Sequence, residues 1–392
     1  MTADAVGGVW TYALELARTL ARRGARVTLA TMGTPPSPAQ RADADGIAGL
    51  RLHESVYRLE WMDEPWEDVE RAGEWLLGLE RDLAPDVVHL SGYAHGALPF
   101  RAPTVVVAHS CVCSWWRAVK GERAPESWDR YRRAVAAGLA GAGAVVAPTR
   151  AMLDALDREY GLPLPRALVV PNGRDAARFA PAAMKEPFVL SAGRLWDEAK
   201  NVIALGTAAC RMSWPVLVAG EERHPGGADA ALSCALRPLG RLPGDELAGW
   251  MARAAVFALP ARYEPFGLSA LEAGLSGCAL VLGDIPSLRE VWGDAALYVS
   301  PDDPGALAET LRALAADAER RTALGERARA RGREYTPERM ADGYAAAYLA
   351  AGGAASAARD AVGPPRREVS ATAPPLGTES THVASHAPRP AA

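Results

Sequence analysis

The chain has 392 residues, enough for two domains of ordinary size, and its 49% apolar and 23% charged residues are typical of a soluble globular protein. A formal net charge of −4 gives no support for nucleic-acid binding or for a polybasic membrane anchor. No apolar run approaches the roughly 20 residues that cross a bilayer, and the start of the sequence lacks the pattern of a signal peptide. We therefore expect a cytoplasmic protein, in solution or at the membrane periphery.

The N-terminal half begins with a glycine pair that opens a helix. Gly7 and Gly8 precede a predicted helix over 11–23, and a strand over 25–31 follows. Glycines in this position let the backbone approach a phosphate or a sugar without a clash from Cβ. The strand expected before them, within residues 1–6, is short and polar, whereas central parallel strands are continuously apolar. Either this strand is very short, or the start site is misassigned, or residues are missing.

Strands and helices alternate through the rest of this half, after a Pro/Ala/Asp-rich loop over 34–46. Strands are predicted over 50–59, 86–90, 104–108, 144–147 and 168–172, and helices over 66–83, 127–140 and 151–160. This alternation predicts a parallel, doubly wound α/β sheet that binds ligands at the carboxyl ends of its strands.

A second alternating set follows a Pro/Ala-rich connector. Strands are predicted over 188–192, 216–219, 254–259, 279–282 and 296–299, and helices from 201 and over 243–253, 268–275, 285–292 and 304–331. The predicted organisation is an N-terminal domain over 1–178, a linker over 179–187, a C-terminal domain over 188–333, a final helix over 334–351 and a disordered tail over 352–392.

The cysteine content is sparse and odd in number. Cys111 and Cys113 have no second pair that would complete a zinc site. Such a set is typical of unpaired core thiols in a protein from a reducing compartment.

Two acids lie in a strand–loop–helix segment over 254–275. Glu264 lies in the loop, and Glu272 lies about one turn into the helix. The unpaired N–H groups and the positive dipole end of such a helix bind anions at the carboxyl edge of a sheet. An acid in an anion-binding loop is unfavourable without a partner. A sugar nucleotide supplies one, because its hydroxyls donate to carboxylates while its diphosphate takes the N–H groups.

Two cations follow the strand over 188–192. Arg194 comes directly after this strand, and Lys200 begins the next helix. Cations at that edge suit a diphosphate and stabilise the negative charge that grows on it as a glycosidic bond breaks. They would do the work of a metal, so no metal or other cofactor is expected. The alternative is a surface pairing of these cations with Asp197 or Glu198.

One segment contains Glu264, then Pro-Phe-Gly-Leu, then Glu272, and another has a Gly-Arg…Lys-Asn pattern over 193–201. Together they resemble the retaining GT-B glycosyltransferases of family four. The match covers nearly all of residues 5–350. It implies the GT-B fold, in which two doubly wound Rossmann-like domains face each other across a cleft. It also implies an enzyme of carbohydrate biosynthesis that moves a hexosyl group from a UDP- or GDP-type sugar to an acceptor hydroxyl. The transfer would retain the anomeric configuration by a front-face mechanism.

The resemblance also implies roles for individual residues. The implied catalytic residues are His109, Arg194, Lys200 and Glu264. The implied donor-binding residues are Gly7, Gly8, Arg194, Lys200, Arg241, Leu242, Glu264, Phe266, Gly267, Leu268 and Glu272. In this assignment Arg194 and Lys200 bind the diphosphate, and Glu272 holds the ribose hydroxyls.

Aromatic and histidine side chains indicate where an acceptor would bind. Trp10 and Trp115 fall in or after predicted cleft loops, and aromatic faces suit the C–H faces of sugars. Tyr93 and His95 lie in the loop after the strand over 86–90. No basic amphipathic patch for anionic lipid is evident, so we expect these four residues to face a soluble saccharide or other small-molecule acceptor, and we expect no nucleic-acid partner.

Two alternatives stay open. A non-catalytic protein of the same fold could bind sugar nucleotides as a scaffold, although the retained cations and acids argue against it. A nucleotide-sugar epimerase or a dinucleotide dehydrogenase would use paired doubly wound domains as well. Neither half opens with the Gly-x-Gly-x-x-Gly fingerprint of dinucleotide binding.

Overall fold

The computed structural model describes residues 1–164, 166–223 and 232–352, and in these residues helices alternate with strands. The predicted tail over 352–392 lies outside the described residues except for its first residue. The strands of the N-terminal half are β1 (Thr2–Asp4), β2 (Val27–Met32), β3 (Leu50–Glu54), β4 (Val88–Leu90), β5 (Thr104–Val107), β6 (Ala144–Ala147) and β7 (Leu168–Val169). Its helices are α1 (Gly8–Arg22), α2 (Pro38–Asp45), α3 (Trp66–Leu83), α4 (Val112–Lys120), α5 (Asp129–Gly141) and α6 (Arg150–Tyr160).

The C-terminal half repeats the pattern. Its strands are β8 (Glu186–Ala192), β9 (Val216–Ala219), β10 (Leu236–Gly240), β11 (Ala254–Leu259), β12 (Ala279–Gly283) and β13 (Leu297–Val299). The remaining helices are α7 (Val202–Ala209), α8 (Gly244–Arg253), α9 (Leu268–Leu275), α10 (Pro286–Trp292), α11 (Pro304–Ala316), α12 (Ala318–Gly332) and α13 (Pro337–Ala350).

All strand pairs in the described residues are parallel, as predicted. The C-terminal half has one six-stranded sheet in the order β10-β9-β8-β11-β12-β13. The N-terminal half has a three-stranded sheet, β1-β2-β3, and a four-stranded sheet, β4-β5-β6-β7. The short β1 is tied to the second of these because the Ser91 N–H, just after β4, donates to Thr2 Oγ1 at 2.8 Å. In the six-stranded sheet the order reverses between β8 and β11, which is where such sheets bind ligands.

Burial of continuously apolar strands holds each half together. Every residue of β5, β6, β9, β11 and β12 is buried, as expected for strands covered by helices on both faces. The final helix α13 follows the C-terminal half but buries its apolar face in the N-terminal core. Its Met340, Ala341, Tyr344 and Ala347 pack in one cluster with residues of α1, β5 and β6.

Three elements differ from the sequence prediction, and polar caps account for two of them. The loop predicted over 34–46 contains α2, which Ser37 and Gln40 begin with a reciprocal capping box. The helix predicted over 304–331 is two helices, because Asp317 ends α11 and its side chain caps α12 by accepting from Arg320 N–H. Strand β3 ends at Glu54, five residues before the predicted end at 59.

Two elements had no counterpart in the prediction. Helix α4 follows directly after β5 and the short loop at His109, and β10 forms an edge of the large sheet. The five cysteines are unpaired. Three of them are buried core thiols as expected, whereas Cys210 and Cys234 are exposed.

None of the helices in the described residues has the length and apolar character needed to cross a bilayer.

Candidate active site

A cleft of about 670 Å³ lies where the carboxyl ends of the strands in the two halves face each other. Its lining comes from the loops after β1, β2, β5, β6 and β7 on one side and after β8, β9, β10 and β11 on the other. The lining residues used below are Val6, Gly7, Gly8, Val9, Tyr12, Thr34, His109, Ser110, Pro148, Asn172, Arg194, Asp197, Lys200, Arg223, Arg241, Leu242, Glu264, Phe266, Gly267 and Leu268. Nearly all of the predicted donor-binding residues therefore meet in one cleft.

The glycine pair brings the two sides of the cleft into contact. Gly7 has a φ of +82° and precedes the first residue of α1. A Cβ on Gly8 would lie 3.2 Å from Leu268 Cδ1, and a Cβ on Gly7 would lie 3.8 Å from Arg194 Nη1. The positive φ of Gly7 favours glycine, and a Cβ on Gly8 would crowd Leu268, so the glycine pair lets the start of α1 lie beside α9 and Arg194 of the other half.

Arg194 and Lys200 lie at the carboxyl end of β8, and each is held by a carboxylate. Arg194 Nη2 donates to Asp197 Oδ2 at 2.8 Å, and Lys200 Nζ lies 2.5 Å from Glu264 Oε2. The side chains of Lys200 and Glu264 are 15% and 13% exposed, so this pair is largely removed from water. Arg194 thus pairs with Asp197, as the alternative expected, but this pair lines the cleft instead of lying on an outer surface.

Asp197 is the buried centre of this loop. Its carboxylate accepts from Arg194, from the Ala199 N–H and from the indole Nε1 of Trp115, which lies in α4 of the N-terminal half. Burial acts to raise the pKa of Asp197, but the charges of Arg194 and Lys200 and the Trp115 hydrogen bond outweigh it and hold the pKa below its usual value. A charged Asp197 therefore fixes the cation loop.

The loop before α9 presents Glu264 and a helix N-terminus together. Gly267 precedes α9 with a φ of +91°, and its N–H donates to Glu264 Oε1 at 3.0 Å. The hydroxyl of Ser287 donates to the Glu264 carbonyl at 2.6 Å. No side chain caps α9, so the N–H groups at its start are available to an anion.

His109 closes β5 and faces the cleft. Its ring lies edge-on to that of Tyr12, with centroids 4.4 Å apart. Its Nε2 atom is buried and has no partner among the described residues. Burial lowers its pKa to about 3, so the imidazole is neutral at physiological pH.

Glu272 is placed differently from the prediction. It does not line the cleft but lies 2.9 Å from Nε of Arg174, whose Nη1 donates to Glu15 Oε2 at 2.6 Å. The three side chains are 13%, 7% and 2% exposed, respectively, and together they join α9, the turn after β7 and α1. Burial raises the pKa of Glu272, although Arg174 and Arg178 act in the opposite direction. In this structure the Glu272 carboxylate, which was expected to hold the ribose, pairs with Arg174 instead.

None of the four acceptor-side candidates contributes to the lining of this cleft. Trp10 is in the core of the N-terminal half, and Tyr93 is buried with its hydroxyl donating to the Ser110 carbonyl. His95 is buried and its Nε2 donates to the Val69 carbonyl. Trp115 reaches the other half through Asp197. Trp10, Tyr93 and His95 are buried, and a sequence pattern alone does not distinguish such side chains from an exposed platform.

Several contacts between the halves were missed by the sequence analysis. The Tyr263 hydroxyl accepts from the Cys111 N–H at 3.0 Å and lies 2.9 Å from Ser114 Oγ. The carboxylate of Glu290 accepts from the first two N–H groups of α6, those of Arg150 and Ala151. The one sequence signal for these contacts was that Tyr263 directly precedes the predicted Glu264.

The only aspartate pair of the Asp-x-Asp form in the described residues, Asp43 and Asp45, ends α2 and contributes nothing to the cleft lining. The described part of the chain contains no group of three His, Cys, Asp or Glu side chains that could hold a metal ion.

Two family models match the chain. The one described as Glycosyltransferase Family 4 matches residues 6–178, and the one described as Glycosyl transferases group 1 matches residues 174–331. The chain is 31% identical to the D-inositol 3-phosphate glycosyltransferase of Xylanimonas cellulosilytica over 402 residues, which cover 85% of this chain and 89% of that protein. It is 29% identical to the glycogen synthase of Mycobacterium tuberculosis over 393 residues, which cover 88% of this chain and 92% of that protein.

Solved structures are similar over the same length. The match to sucrose-phosphate synthase from Thermosynechococcus elongatus has a TM-score of 0.75 at 21% identity and covers 89% of this chain and 94% of that one. The match to Anabaena Alr3699/HepE in complex with UDP-glucose has a TM-score of 0.69 at 16% identity and covers 88% of this chain and 98% of that one. These likenesses confirm the predicted GT-B fold.

Proposed function

This chain belongs to the group 1 glycosyltransferases of family 4, and on that premise we propose that it transfers a hexosyl group from a UDP- or GDP-type sugar to an acceptor hydroxyl with retention of configuration. That the chain is a glycosyltransferase follows from the family. The donor type, the stereochemistry and the mechanism are the proposal.

The observation that carries the proposal is the cluster of Arg194, Lys200 and the uncapped start of α9 on one wall of the cleft. Two cations and a helix N-terminus form a site for a diphosphate, which brings two or more negative charges. Glu264 lies beside this site at 2.5 Å from Lys200, where it can accept hydrogen bonds from sugar hydroxyls.

In the proposed reaction, the bond between the anomeric carbon and the phosphate oxygen breaks while a bond to the acceptor oxygen forms on the same face. Arg194 and Lys200 stabilise the charge that develops on the leaving diphosphate, and they need little reorganisation because Asp197 and Glu264 already hold them. The acceptor proton moves to the leaving phosphate oxygen. His109, neutral and facing the cleft, contacts the transferred sugar without taking the proton.

The ligand of one similar solved structure supports a sugar nucleotide as the donor. The solved Alr3699/HepE structure holds UDP-glucose. The proposal extends to a cytoplasmic location, in solution or at the membrane periphery, which fractionation of cells expressing the protein would test.

A donor screen tests the proposal. Purified protein is heated with UDP-, GDP- and ADP-sugars, and a true donor at about 100 times its Kd stabilises the folded state by about 2.7 kcal/mol. Release of the nucleoside diphosphate is then measured with a pool of acceptors, and the anomeric configuration of the product is read by NMR. Binding without release under any acceptor would leave only a non-catalytic sugar-nucleotide binder, and an inverted product would overturn retention.

A further inference from the structure

The charges of the cleft are divided unequally between its two sides. Among the lining residues that the structure describes, every Lys and Arg belongs to the C-terminal half: Arg194, Lys200, Arg223 and Arg241. We define the acceptor wall as the lining contributed by the N-terminal half: Val6, Gly7, Gly8, Val9, Tyr12, Thr34, His109, Ser110, Pro148 and Asn172. None of these side chains carries a positive charge at neutral pH, because burial holds His109 neutral.

Two atoms of the acceptor wall lack hydrogen-bond partners in the described part of the chain. They are Nε2 of His109 and Oδ1 of Asn172, and both are buried. Asn172 is only 6% exposed, yet it lines the cleft. A buried polar atom without a partner costs about 1–3 kcal/mol, so native structures rarely keep one unless a ligand or water completes it.

The chemistry of these two atoms selects the group that completes them. An amide oxygen accepts hydrogen bonds and cannot donate, and the free nitrogen of a neutral imidazole can also accept. A hydroxyl donates to either atom. A phosphate dianion offers only acceptor oxygens, so it would face Asn172 Oδ1 without a hydrogen bond and with electrostatic repulsion.

The N–H groups at the start of α1 do not supply a separate phosphate site on this wall. A Cβ on Gly7 would lie 3.8 Å from Arg194 Nη1, so the opening of α1 faces the same space as the cations of the C-terminal half. On this placement we assign these N–H groups to the donor diphosphate.

From this division we propose that the acceptor is an uncharged polyhydroxylated molecule, a sugar or a polyol, that donates a hydrogen bond from a hydroxyl to Asn172 Oδ1, and that phosphorylated acceptors are rejected. His109 Nε2 is left to the transferred sugar. The inference rests on the proposed function, because it assigns the acceptor side of the same cleft. In the transfer one acceptor hydroxyl loses its proton to the leaving diphosphate as its oxygen bonds the anomeric carbon, so no further reactant is needed.

Binding measurements test the inference without requiring turnover. The protein is saturated with UDP or GDP, whichever stabilises it, and titrated calorimetrically with neutral sugars and polyols and with their monophosphates. The pairs include glucose with glucose 6-phosphate, and myo-inositol with inositol 3-phosphate. We expect the neutral member of the preferred pair to bind at least tenfold more tightly. A phosphorylated member that binds as tightly, or a panel in which no neutral member binds, would overturn the inference.

The same titrations separate this inference from the proposed function. Tight binding of a neutral member without nucleotide release would contradict the transfer reaction and leave the acceptor class standing. Transfer that occurs only to phosphorylated acceptors would confirm the reaction and contradict the acceptor class.

Two substitutions place the preference on named residues. Asn172→Leu keeps the size of the side chain and removes Oδ1, so the neutral acceptor should bind about tenfold more weakly. Thr34 is exposed in the loop after β2 and lines the wall. Thr34→Lys should improve binding of the phosphorylated members about tenfold, whereas Thr34→Gln, similar in length but uncharged, should not. Equal effects of these two changes would show that charge does not set the preference.

Discussion

The indole Nε1 of Trp115, in the N-terminal half, donates a hydrogen bond of 3.0 Å to Oδ1 of Asp197, in the C-terminal half. The other oxygen of this carboxylate accepts from Arg194 at 2.8 Å. One carboxylate thus connects helix α4 of one half to a cation in the cleft of the other. The orientation of this cation depends on contact between the halves.

Trp115→Phe removes this hydrogen bond and keeps an aromatic ring. A hydrogen bond to a charged group contributes about 1.5–3 kcal/mol, so we expect kcat/KM for the donor to fall about tenfold to a hundredfold. Steady-state kinetics with the donor varied would measure this loss.

The neighbouring Trp116→Phe is a matched control. The buried Nε1 of Trp116 has no hydrogen-bond partner in the described residues, so its removal should leave kcat/KM within about twofold. Equal losses in the two variants would show that the aromatic packing of α4, and not the bond to Asp197, is what matters.

Lys200→Ala should lower turnover by about 10²–10³-fold, because it removes a cation from the leaving diphosphate and leaves Glu264 without its partner. The measurement is nucleotide release at saturating donor, together with circular dichroism to show that the fold is kept. Arg253→Ala, which breaks the exposed pair of Arg253 with Glu186, should leave turnover nearly unchanged. Near-normal turnover of the Lys200 variant would remove this residue from the site.

Arg174→Met should reduce the free energy of unfolding by about 3–5 kcal/mol, because it leaves the carboxylates of Glu15 and Glu272 buried without their cation. Urea denaturation measures the loss. The control is Arg178→Met: Arg178 is 42% exposed, its partner Asp245 is 92% exposed, and such a pair contributes about 0–1 kcal/mol. Similar losses in both variants would contradict a special contribution of the buried triad.

The pH dependence of stability should report the burial of His109. Its folded pKa of about 3 lies below the unfolded value near 6.5. Between these values the unfolded state binds a proton that the folded state does not, so stability rises with pH through this window and is lost as pH falls. Wild type should therefore lose about 1–2 kcal/mol more than His109→Gln between pH 7.5 and pH 5 in urea titrations. Parallel losses would show that His109 titrates normally.

Nucleotide release should persist in excess EDTA, because in the proposed reaction Arg194 and Lys200 stabilise the leaving diphosphate. The assay compares rates before and after chelation and after adding back Mg²⁺ or Mn²⁺. A rate that collapses with EDTA and returns with the metal would assign part of this work to a cation.

The fold could be predicted in large part because its strands are continuous apolar runs. β11 is a run of six buried apolar residues, and the bounds predicted for α3, 66–83, match the structure. Helices α2 and α4 were missed because the first begins with a capping box in a Pro/Ala-rich stretch and the second is short and polar on one side. Local periodicity did not reveal either element.

The candidate site was partly readable because its residues follow strands in the sequence. Gly7, Arg194, Lys200 and Glu264 each come just after a strand or at the next helix, and the sheets bring them together. The partner of Glu272 could not be read this way. Arg174 meets this acid only through the packing of α1 and α9, which are far apart in the sequence.

The first turn of α6 is completed by the other half of the molecule. The N–H groups of Arg150 and Ala151 have no partner in their own helix, and the carboxylate of Glu290 supplies both acceptors at 2.7 and 2.9 Å. Any separation of the two halves would remove the acceptors of these two amides and expose the amides to water. Their hydrogen–deuterium exchange would therefore report opening of the cleft, and a bound donor that holds the two halves together would slow this exchange.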